Sequence, residues 1–314
     1  MSLAAVGLVI LAEINAVAER TVLRGASILD TFVLCPGFHR QQSASSCNAG
    51  EFPACAAMTT GYVFRVENPA TVAYLQRVGR TGHLTTLRVH RLPAGNHNLL
   101  SDGLASVSHI AAVLLTIVSM FICISMFNWL ATLVLVILCV ARFINISVFR
   151  KLAEHGWHGA EEPGVVSDLL ILLSYDRWIR IQGLVDDVKA VTSGRWLRDP
   201  SPIESFAIST ATLLVYSAAA LTANVSSFGQ LVLLLSWVGS AALLGLANAL
   251  TTTLVMNGRL VEQHGEAKAY ERRRGLADEL IELFGRDDWA VAMGMIPPES
   301  GPSLSSKHAG PVIM

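Results

Sequence analysis

Charged residues are almost absent from two long stretches of this chain, residues 106–149 and 203–256. Of its 23 Lys and Arg residues only Arg142 lies inside them, and of its 24 Asp and Glu residues only Glu204 does, at an edge. A transmembrane helix needs about 20 predominantly apolar residues, so each stretch is long enough to cross a bilayer twice. The charged fraction of the whole chain is 15%, against about 25% in soluble domains. The composition predicts a polytopic α-helical membrane protein and excludes an ordinary soluble domain.

The sequence also lacks the signatures of several functional classes. Its net charge of -1 provides no basic surface, so we expect no nucleic-acid partner. Neither a Gly-x-Ser-x-Gly elbow nor a His-Glu-x-x-His helix occurs. These are the usual markers of α/β-hydrolases and zinc proteases, so catalysis of either kind has no recognisable anchor.

Metal-ligand patterns are missing as well. The five cysteines have no metal-ligand spacing, and we expect neither a metal nor another cofactor. Cys35, Cys47 and Cys55 share a Gly-, Ser- and Pro-rich segment, where free thiols are favoured over the one disulfide that a luminal location would allow. His155 and His158 are three positions apart, but they lie beside glycines that are typical of a loop.

Each uncharged stretch has to turn back on itself, because one continuous helix through it would be about twice as long as the bilayer is thick. In the first stretch the turn is expected at 127–129, where Asn128 is strongly polar and Trp129 suits a membrane interface. In the second stretch it is expected at 224–227. The sequence thus predicts two transmembrane helical hairpins with about four spans, 104–149 and 203–256.

Cations collect at the open ends of these hairpins and not at their turns. They are Arg150, Lys151, Arg195, Arg198 and Arg259. By the positive-inside rule the open ends then face the cytosol, together with residues 1–103, the joining segment 150–202 and the residues after the second hairpin. One alternative stays open. Residues 3–18 fit a signal peptide or anchor, although no Lys or Arg precedes their apolar run, and this would make the joining segment luminal.

The terminal segments are more polar. The fold of the N-terminal segment 1–103 is poorly defined, with β-branched and aromatic residues that predict a few short strands at 61–67 and 84–91. After the second hairpin, apolar residues at helical spacing predict amphipathic helices over 257–298, one of which covers 266–284. The Ser-, Gly- and Pro-rich tail 299–314 is predicted to be disordered.

The joining segment is predicted to carry one long amphipathic helix over 165–191. A Pro-Gly pair precedes this range and a Ser-Gly pair follows it, as is usual at the start and end of a helix. Its broad apolar face suits the membrane interface or the cytosolic ends of the hairpins. Asp176 and Arg180, four residues apart, would support the helix as an ion pair. With these helices, the chain is predicted to be an all-α membrane protein.

The second half of the chain carries a resemblance. The runs involved are LILLSYDRWIRIQG at 170–183, VDDVKAVTSGRWLRD at 185–199 and GRDDWA at 285–290. Together they resemble uncharacterised fungal multi-pass membrane proteins. The resemblance implies a multi-pass membrane protein and brings no activity with it.

Three residues are the candidates for catalysis, Asp176, Arg180 and Asp187. With Tyr175 they would share the polar face of the predicted joining helix. Asp186 and Asp187 do not complete an aspartate-rich Mg²⁺ motif, because an alanine stands at the next position where an oxygen ligand is needed. A solvated helix face is therefore favoured over a metal–diphosphate site.

Polar residues within the predicted spans are few. Arg142 lies about two turns from the cytosolic end, so we expect its side chain to snorkel to the interface. The others are His109, Asn145 and Asn248. Small residues repeat every four positions at Ala241, Gly245 and Ala249, which favours close helix packing or self-association.

Three hypotheses about function are compatible with these features. The first is a non-catalytic scaffold or accessory membrane protein whose cytosolic helices recruit a protein partner. The second is an integral-membrane enzyme acting on a lipid-like substrate, and the third is an oligomeric transporter or channel. The missing site motifs favour the first, so we expect the chain not to be an enzyme. The expected partners are the lipid bilayer and another protein or a second copy; which membrane holds the protein is not fixed by the sequence.

Overall fold

A computed structural model describes residues 5–39, 47–92, 103–153 and 159–298. In chain order the elements are α1 (Val6–Val9), α2 (Ala16–Arg24), a 3₁₀ helix (Ile28–Phe32), β1 (Ala54–Ala57), β2 (Val63–Arg65), α3 (Pro69–Val78), β3 (His83–Arg91), α4 (Gly103–Ser125), α5 (Trp129–Leu152), β4 (Val166–Leu173), β5 (Arg177–Leu184), α6 (Val185–Thr192), α7 (Pro202–Thr222), α8 (Ser227–Leu250), β6 (Leu254–Met256), β7 (Arg259–Gln263), β8 (Lys268–Ala269), α9 (Arg273–Phe284) and α10 (Asp288–Ala292).

Four of these helices, α4, α5, α7 and α8, are long and apolar enough to cross a membrane. The prediction of four such helices is confirmed; that they cross a membrane stays a prediction. Local chemistry sets several of their ends. Asn128 and Ser226 cap the starts of α5 and α8 with their side chains, and Ser201 forms a capping box with Glu204 at the start of α7.

The four helices pair across the two hairpins. α4 packs mainly along α8, and α5 mainly along α7. At the end where both hairpins turn, Asn128 Nδ2 donates a hydrogen bond of 2.7 Å to Ser226 Oγ. The two turns are therefore joined to each other, and the four helices form one bundle.

The prediction of an all-α fold is wrong, because the described residues form an eight-stranded sheet. Its strand order is β2-β1-β4-β5-β3-β7-β6, with β8 paired to β3. β3 and β5 run parallel, and the other strand pairs of the described residues are antiparallel. β2 and β3 lie in the two stretches for which the sequence predicts strands, and the remaining strands were missed.

The predicted helix over 165–191 is also wrong. Most of that range is an antiparallel hairpin of β4 and β5, with only α6 helical. Its turn consists of residues 174–176, of which Tyr175 and Asp176 have a positive φ (64° and 51°). Along β5, Ile179 and Ile181 are fully buried on one face of the sheet. Trp178 alternates with them and is buried on the other face. A strand buried on both faces is apolar nearly throughout, so its apolar residues also satisfy a helical spacing.

The sheet has a helical layer on each face, and together with the helices α3, α6, α9 and α10 it forms the sheet domain. One face packs on α3, α6 and the end of α5 that carries Phe149. The other packs on α9 and α10 through residues such as Trp178 and Trp289. The predicted helix over 266–284 begins later than expected, at the start of α9, because Lys268–Ala269 pairs with β3 as β8. Since α5 enters the core of the sheet domain directly, that domain sits against one end of the bundle.

Residues 5–39 pack into the helix bundle. α1 lies against both α7 and α8, and the 3₁₀ helix lies against α4 and α5. α2 contacts the end of α8 and the edge strand β6. Most of their buried apolar side chains belong to the same core as the four long helices, while Val22 and Leu23 belong to the core of the sheet. Residues 5–39 are thus an integral layer of the bundle.

Candidate functional site

A cavity of about 940 Å³ lies where the bundle meets the sheet domain. It is lined by residues 13–23, residues 37–39 and Cys47 before β1, and by α3, α7 and α8. The walls from the two long helices carry Thr212 and Tyr216 on α7 and Gly245 and Ala249 on α8. The cavity therefore lies between two of the apolar helices and is closed at one end by the sheet domain.

The course of α7 and α8 explains why this space exists. The two helices pack on α5 and α4, and α1 packs between them. α1 fills the part near their turn, where Gly7 lies so close to α7 that a Cβ atom would come within 2.2 Å of the Ala219 carbonyl oxygen. Nearer the sheet domain the side chains are small, and a Cβ atom added at Gly245 would meet nothing within 4 Å. The gap between the helices is left open there.

Two opposite charges flank the end of the cavity next to the sheet domain. Arg77 on α3 donates through Nη2 to the carbonyl oxygens of Asn248 and Thr251, the latter at 3.2 Å. It thus binds the free carbonyls at the C-terminus of α8. On the other side, Asn248 Nδ2 donates to the Ala16 carbonyl oxygen at 2.7 Å and lies 3.5 Å from Glu19 Oε2. Asn248 therefore fixes a guanidinium and a carboxylate beside the same helix end.

The opposite part of the cavity carries hydroxyl and aromatic groups from α7. Thr212 and Tyr216 stand about 15 and 21 Å along α7 from its start, at 1.5 Å per residue. The Thr212 hydroxyl donates to the His39 carbonyl oxygen at 3.0 Å, and the rings of His39 and Tyr216 lie 6.2 Å apart. Polarity thus changes along the cavity, from charged groups at the sheet domain to an aromatic ring within the bundle.

A buried charged cluster lies next to this cavity. Asp30 of the 3₁₀ helix is hydrogen-bonded through Oδ1 to His109 Nε2 on α4 at 2.6 Å. Arg142 Nε on α5 donates to the Asp30 carbonyl oxygen at 3.3 Å. Asp30, His109 and Arg142 are 6%, 5% and 8% exposed. The expectation that Arg142 snorkels to the interface is wrong, since its side chain is held inside the bundle.

Phe38 separates the charged cluster from the cavity. The Arg142 guanidinium lies 5.9 Å from the centre of the Phe38 ring, and Asn145 Nδ2 donates to the Phe38 carbonyl oxygen at 3.0 Å. Its neighbours Gly37 and His39 line the cavity. The wall of the cavity is therefore positioned by polar side chains from within the bundle. His109, Asn145 and Asn248, which sequence reasoning noted as isolated polar residues, all hold the N-terminal segment.

The residues proposed from the sequence for catalysis do not meet. Asp176 lies in the turn before β5, Arg180 within that strand, and Asp187 after it in α6. The eight residues of β5 span about 26 Å at 3.3 Å per residue. Tyr175 points into no shared pocket with them, since it is 81% exposed at the turn. The structure therefore places the three candidates in different parts of the sheet domain and does not bring them together in one pocket.

Each of these charged residues has a partner of its own. Arg180 forms a two-pronged hydrogen-bonded pair with Asp168, at 2.8 and 2.6 Å. Asp176 is bonded to Arg273 at 2.6 Å. Asp187, only 2% exposed, accepts from two arginines, Arg91 at 2.6 Å and Arg259 at 3.1 Å. Paired in this way, they hold strands and helices of the sheet domain together.

The described part of the chain contains no group of three or more His, Cys, Asp or Glu side chains placed to hold a metal ion. His155 and His158 lie outside the described residues. Cys35 and Cys55 are free thiols. Burial raises the pKa of the Cys55 thiol above the ordinary thiol value, so it stays protonated and unreactive.

Sequence reasoning missed the cavity residues Glu19, Arg77 and Tyr216. They come from three parts of the chain, and no local spacing connects them. The signal that could have drawn attention to the site was the small-residue repeat at Gly245 and Ala249, which the sequence favoured as a helix contact. No known protein family, curated protein or solved structure matches this chain, so its function has to be argued from the geometry.

Proposed function

We propose that this chain is a multi-pass integral membrane protein that holds one lipid-like amphiphile in the cavity between α7 and α8. In this proposal α4, α5, α7 and α8 are the spans, and the sheet domain lies at one face of the bilayer. The role is non-catalytic: the protein is an accessory membrane protein whose bound lipid is part of its working form.

The observation that carries the proposal is the change of polarity along the cavity. With the sheet-domain ends of α7 and α8 at the membrane interface, Glu19 and Arg77 stand at the level of the lipid headgroups. Thr212 and Tyr216 then lie about 15 and 21 Å into a hydrocarbon core about 30 Å thick. A molecule with a polar head and an apolar tail matches this gradient, whereas a fully polar solute matches only one end.

Access and size support the same ligand class. α7 and α8 pack mainly on other helices, and a Cβ atom added at Gly245 between them would meet open space, so in this proposal a lipid enters sideways from the bilayer between them. The volume of about 940 Å³ falls in the range of about 300–1,000 Å³ that is usual for small-molecule sites. The backbone, amide, carboxylate and guanidinium groups at one end of the cavity provide polar contacts that can orient a ligand.

The test is native mass spectrometry of the protein purified from membranes in mild detergent. The wild type is expected to carry a bound amphiphile. Gly245→Phe adds a ring where a Cβ atom meets open space, and it should reduce the bound fraction at least about tenfold, a loss of about 1.4 kcal/mol in binding. Leu246→Phe is the matched control, because Leu246 is 49% exposed and faces away from the cavity. A wild type without any bound amphiphile contradicts the proposal.

A second candidate function is an enzyme that acts on such an amphiphile. It is favoured by one observation: Glu13, Glu19 and His39 all line the cavity, and these side chains can act as general acids or bases. Glu19→Gln would then lower turnover of a membrane lipid by about 10²–10⁴-fold while ligand binding persists. If incubation of the protein with a total lipid extract yields no product, the non-catalytic function stands.

A further inference from the structure

We propose that the cavity selects a zwitterionic phospholipid head, with its phosphate at Arg77 and its ammonium group at Glu19. This inference rests on the proposed function, because it names the chemistry of the amphiphile that the cavity holds. It is carried by the two charges at the sheet-domain end of the cavity and by the helix end that lies between them.

The two charges are fixed relative to each other. Arg77 Nη2 is bound to the carbonyl oxygens of Asn248 and Thr251, and Asn248 Nδ2 lies 3.5 Å from Glu19 Oε2. Both groups therefore approach the same residue, one through its backbone and one through its side chain. A phosphate and an ammonium group in one lipid head are separated by a similarly short link, so each can face its opposite charge at once.

Both groups have capacity left for a ligand. A guanidinium has five N–H donors, and the contacts of Arg77 to the two carbonyls use only Nη2. Further donors suit a phosphate oxygen, which arginine recognises well. An ionised carboxylate has about four acceptor positions, and the contact from Asn248 to Glu19 is long at 3.5 Å. Glu19 can therefore accept from an ammonium group.

The surroundings disfavour a head of a single charge. Glu13 and Glu19 line the same cavity, so an anionic head would meet two carboxylates without an ammonium group to offset them. The C-terminus of α8 also lies at this end, and the helix dipole places partial negative charge there. A purely cationic head, in turn, would meet the Arg77 guanidinium. Selectivity of this kind comes from repulsion of the wrong partner as much as from attraction of the right one.

The experiment measures lipid preference by native mass spectrometry. The wild-type protein in detergent is offered an equimolar mixture of phosphatidylethanolamine, phosphatidylcholine, phosphatidylglycerol and phosphatidic acid with identical acyl chains. We expect the zwitterionic lipids to be enriched about fivefold over the anionic ones, as one exposed charge contact can provide. Phosphoethanolamine without acyl chains, added in excess, should not displace them; displacement would identify a site for the free head compound and overturn the lipid assignment.

Two variants at Glu19 make the inference specific. Glu19→Gln should reduce the enrichment to about twofold or less, and Glu19→Lys should shift the preference towards the anionic lipids. Glu266→Lys is the control, since it makes the same charge change at an exposed residue of the β7–β8 loop. Thermal unfolding in the same detergent checks that each variant is folded. If Glu19→Lys does not fold, the result for the conservative Glu19→Gln decides the test.

The outcomes separate this inference from the proposed function. If no lipid of any head class binds the wild type, the proposed function fails. If lipids bind without a head preference, or with a preference that Glu19→Gln and Glu266→Lys change equally, the cavity still holds an amphiphile but the assignment of the head is wrong.

Discussion

Asp30 is the residue around which buried charge is organised in the bundle. Its side chain accepts from His109 and its carbonyl oxygen accepts from Arg142. An arginine inside a membrane is costly and normally pairs within the protein. Here the groups that pair with His109 and with Arg142 both belong to Asp30, which lies 112 positions before Arg142 in the sequence. The spacing along the helices gives no sign of that partner, which is why the sequence favoured snorkelling.

We expect Asp30→Leu to lower the free energy of unfolding by about 3–5 kcal/mol, because Arg142 would remain buried without its counter-charge. Arg142→Met should cost a similar amount. Replacement of both residues should recover part of the loss, since neither charge is then left alone. Thermal or denaturant unfolding in nanodiscs measures the three values. Phe143→Leu, beside Arg142 and 51% exposed, is the control, and strictly additive losses in the double variant would contradict the pairing.

The two aspartates of the β4–β5 hairpin should differ in their contribution to stability. Asp168 is 7% exposed and bonded to Arg180 by two hydrogen bonds. Asp168→Ala should therefore cost about 1.5–3 kcal/mol. Asp176→Ala should cost at most about 1 kcal/mol, because the Asp176 side chain is 60% exposed in its pair with Arg273. Equal losses, measured by chemical unfolding, would contradict the larger contribution expected of the buried Asp168–Arg180 pair.

At the scale of elements, the long apolar helices were predictable and the sheet was not. Exclusion of charge over some 20 residues has few other physical explanations than a membrane span, so α4, α5, α7 and α8 could be identified directly. β4 and β5 do not show the alternation of apolar and polar residues that is typical of strands. Both of their faces are buried, against α3 and α6 on one side and α9 on the other. The partners that cover them come from distant parts of the chain, and the pattern of the strands alone does not reveal them.

The cavity could not be predicted from the sequence either, for a related reason. It exists because α7 and α8 pack on other helices and not on each other, which depends on the pairing of the two hairpins. Gly245 and Ala249 could be recognised as small residues, but the same repeat fits a close helix contact and an open wall equally well. Only the tertiary arrangement decides between these two roles.

Glu51 connects three elements of the sheet domain and should make its stability depend on pH. Its Oε2 accepts from Gln76 Nε2 on α3 and its Oε1 from the Ser174 backbone N–H at the β4–β5 turn, both at 2.6 Å. Burial alone would raise the pKa of Glu51. These hydrogen bonds, with the charge of Arg177, outweigh burial and hold the pKa below its ordinary value of 4.5.

A carboxyl group with a lowered pKa stabilises the folded state above its unfolded pKa, and this contribution disappears as the pH falls through the folded pKa. The free energy of unfolding should therefore be nearly flat from pH 7 to about 5 with respect to Glu51 and then fall at lower pH. Glu51→Gln should lose stability at pH 7 and show a shallower decline below pH 4.5. Parallel curves for the two proteins would show that Glu51 does not contribute.

At the scale of the whole molecule, the described residues form the helix bundle and the sheet domain. The chain connects the two at one end of the bundle. β3 precedes α4, β4 follows α5, α6 precedes α7 and β6 follows α8, so the described part of the chain enters and leaves the sheet domain at the helix ends opposite the two hairpin turns. By the positive-inside rule we predict a cytosolic sheet domain. A glycosylation acceptor tag at the exposed Gly164 should stay unmodified, and the same tag inserted after Phe127 should be modified. Modification of the Gly164 tag would reverse the orientation.

The anchoring of residues 5–39 by side chains from all four long helices has a consequence for biosynthesis. The Ala16 carbonyl oxygen is bound by a residue 232 positions later, Asn248, and His39 by one 173 positions later, Thr212. At about 5–20 residues per second, the ribosome needs roughly 10–50 s after Ala16 to deliver its partner. A segment translated before the four long helices is thus seated only after the last of them has been made. During that interval residues 5–39 lack the contacts that hold them and are open to proteases, so their docking marks the completion of the four-helix bundle.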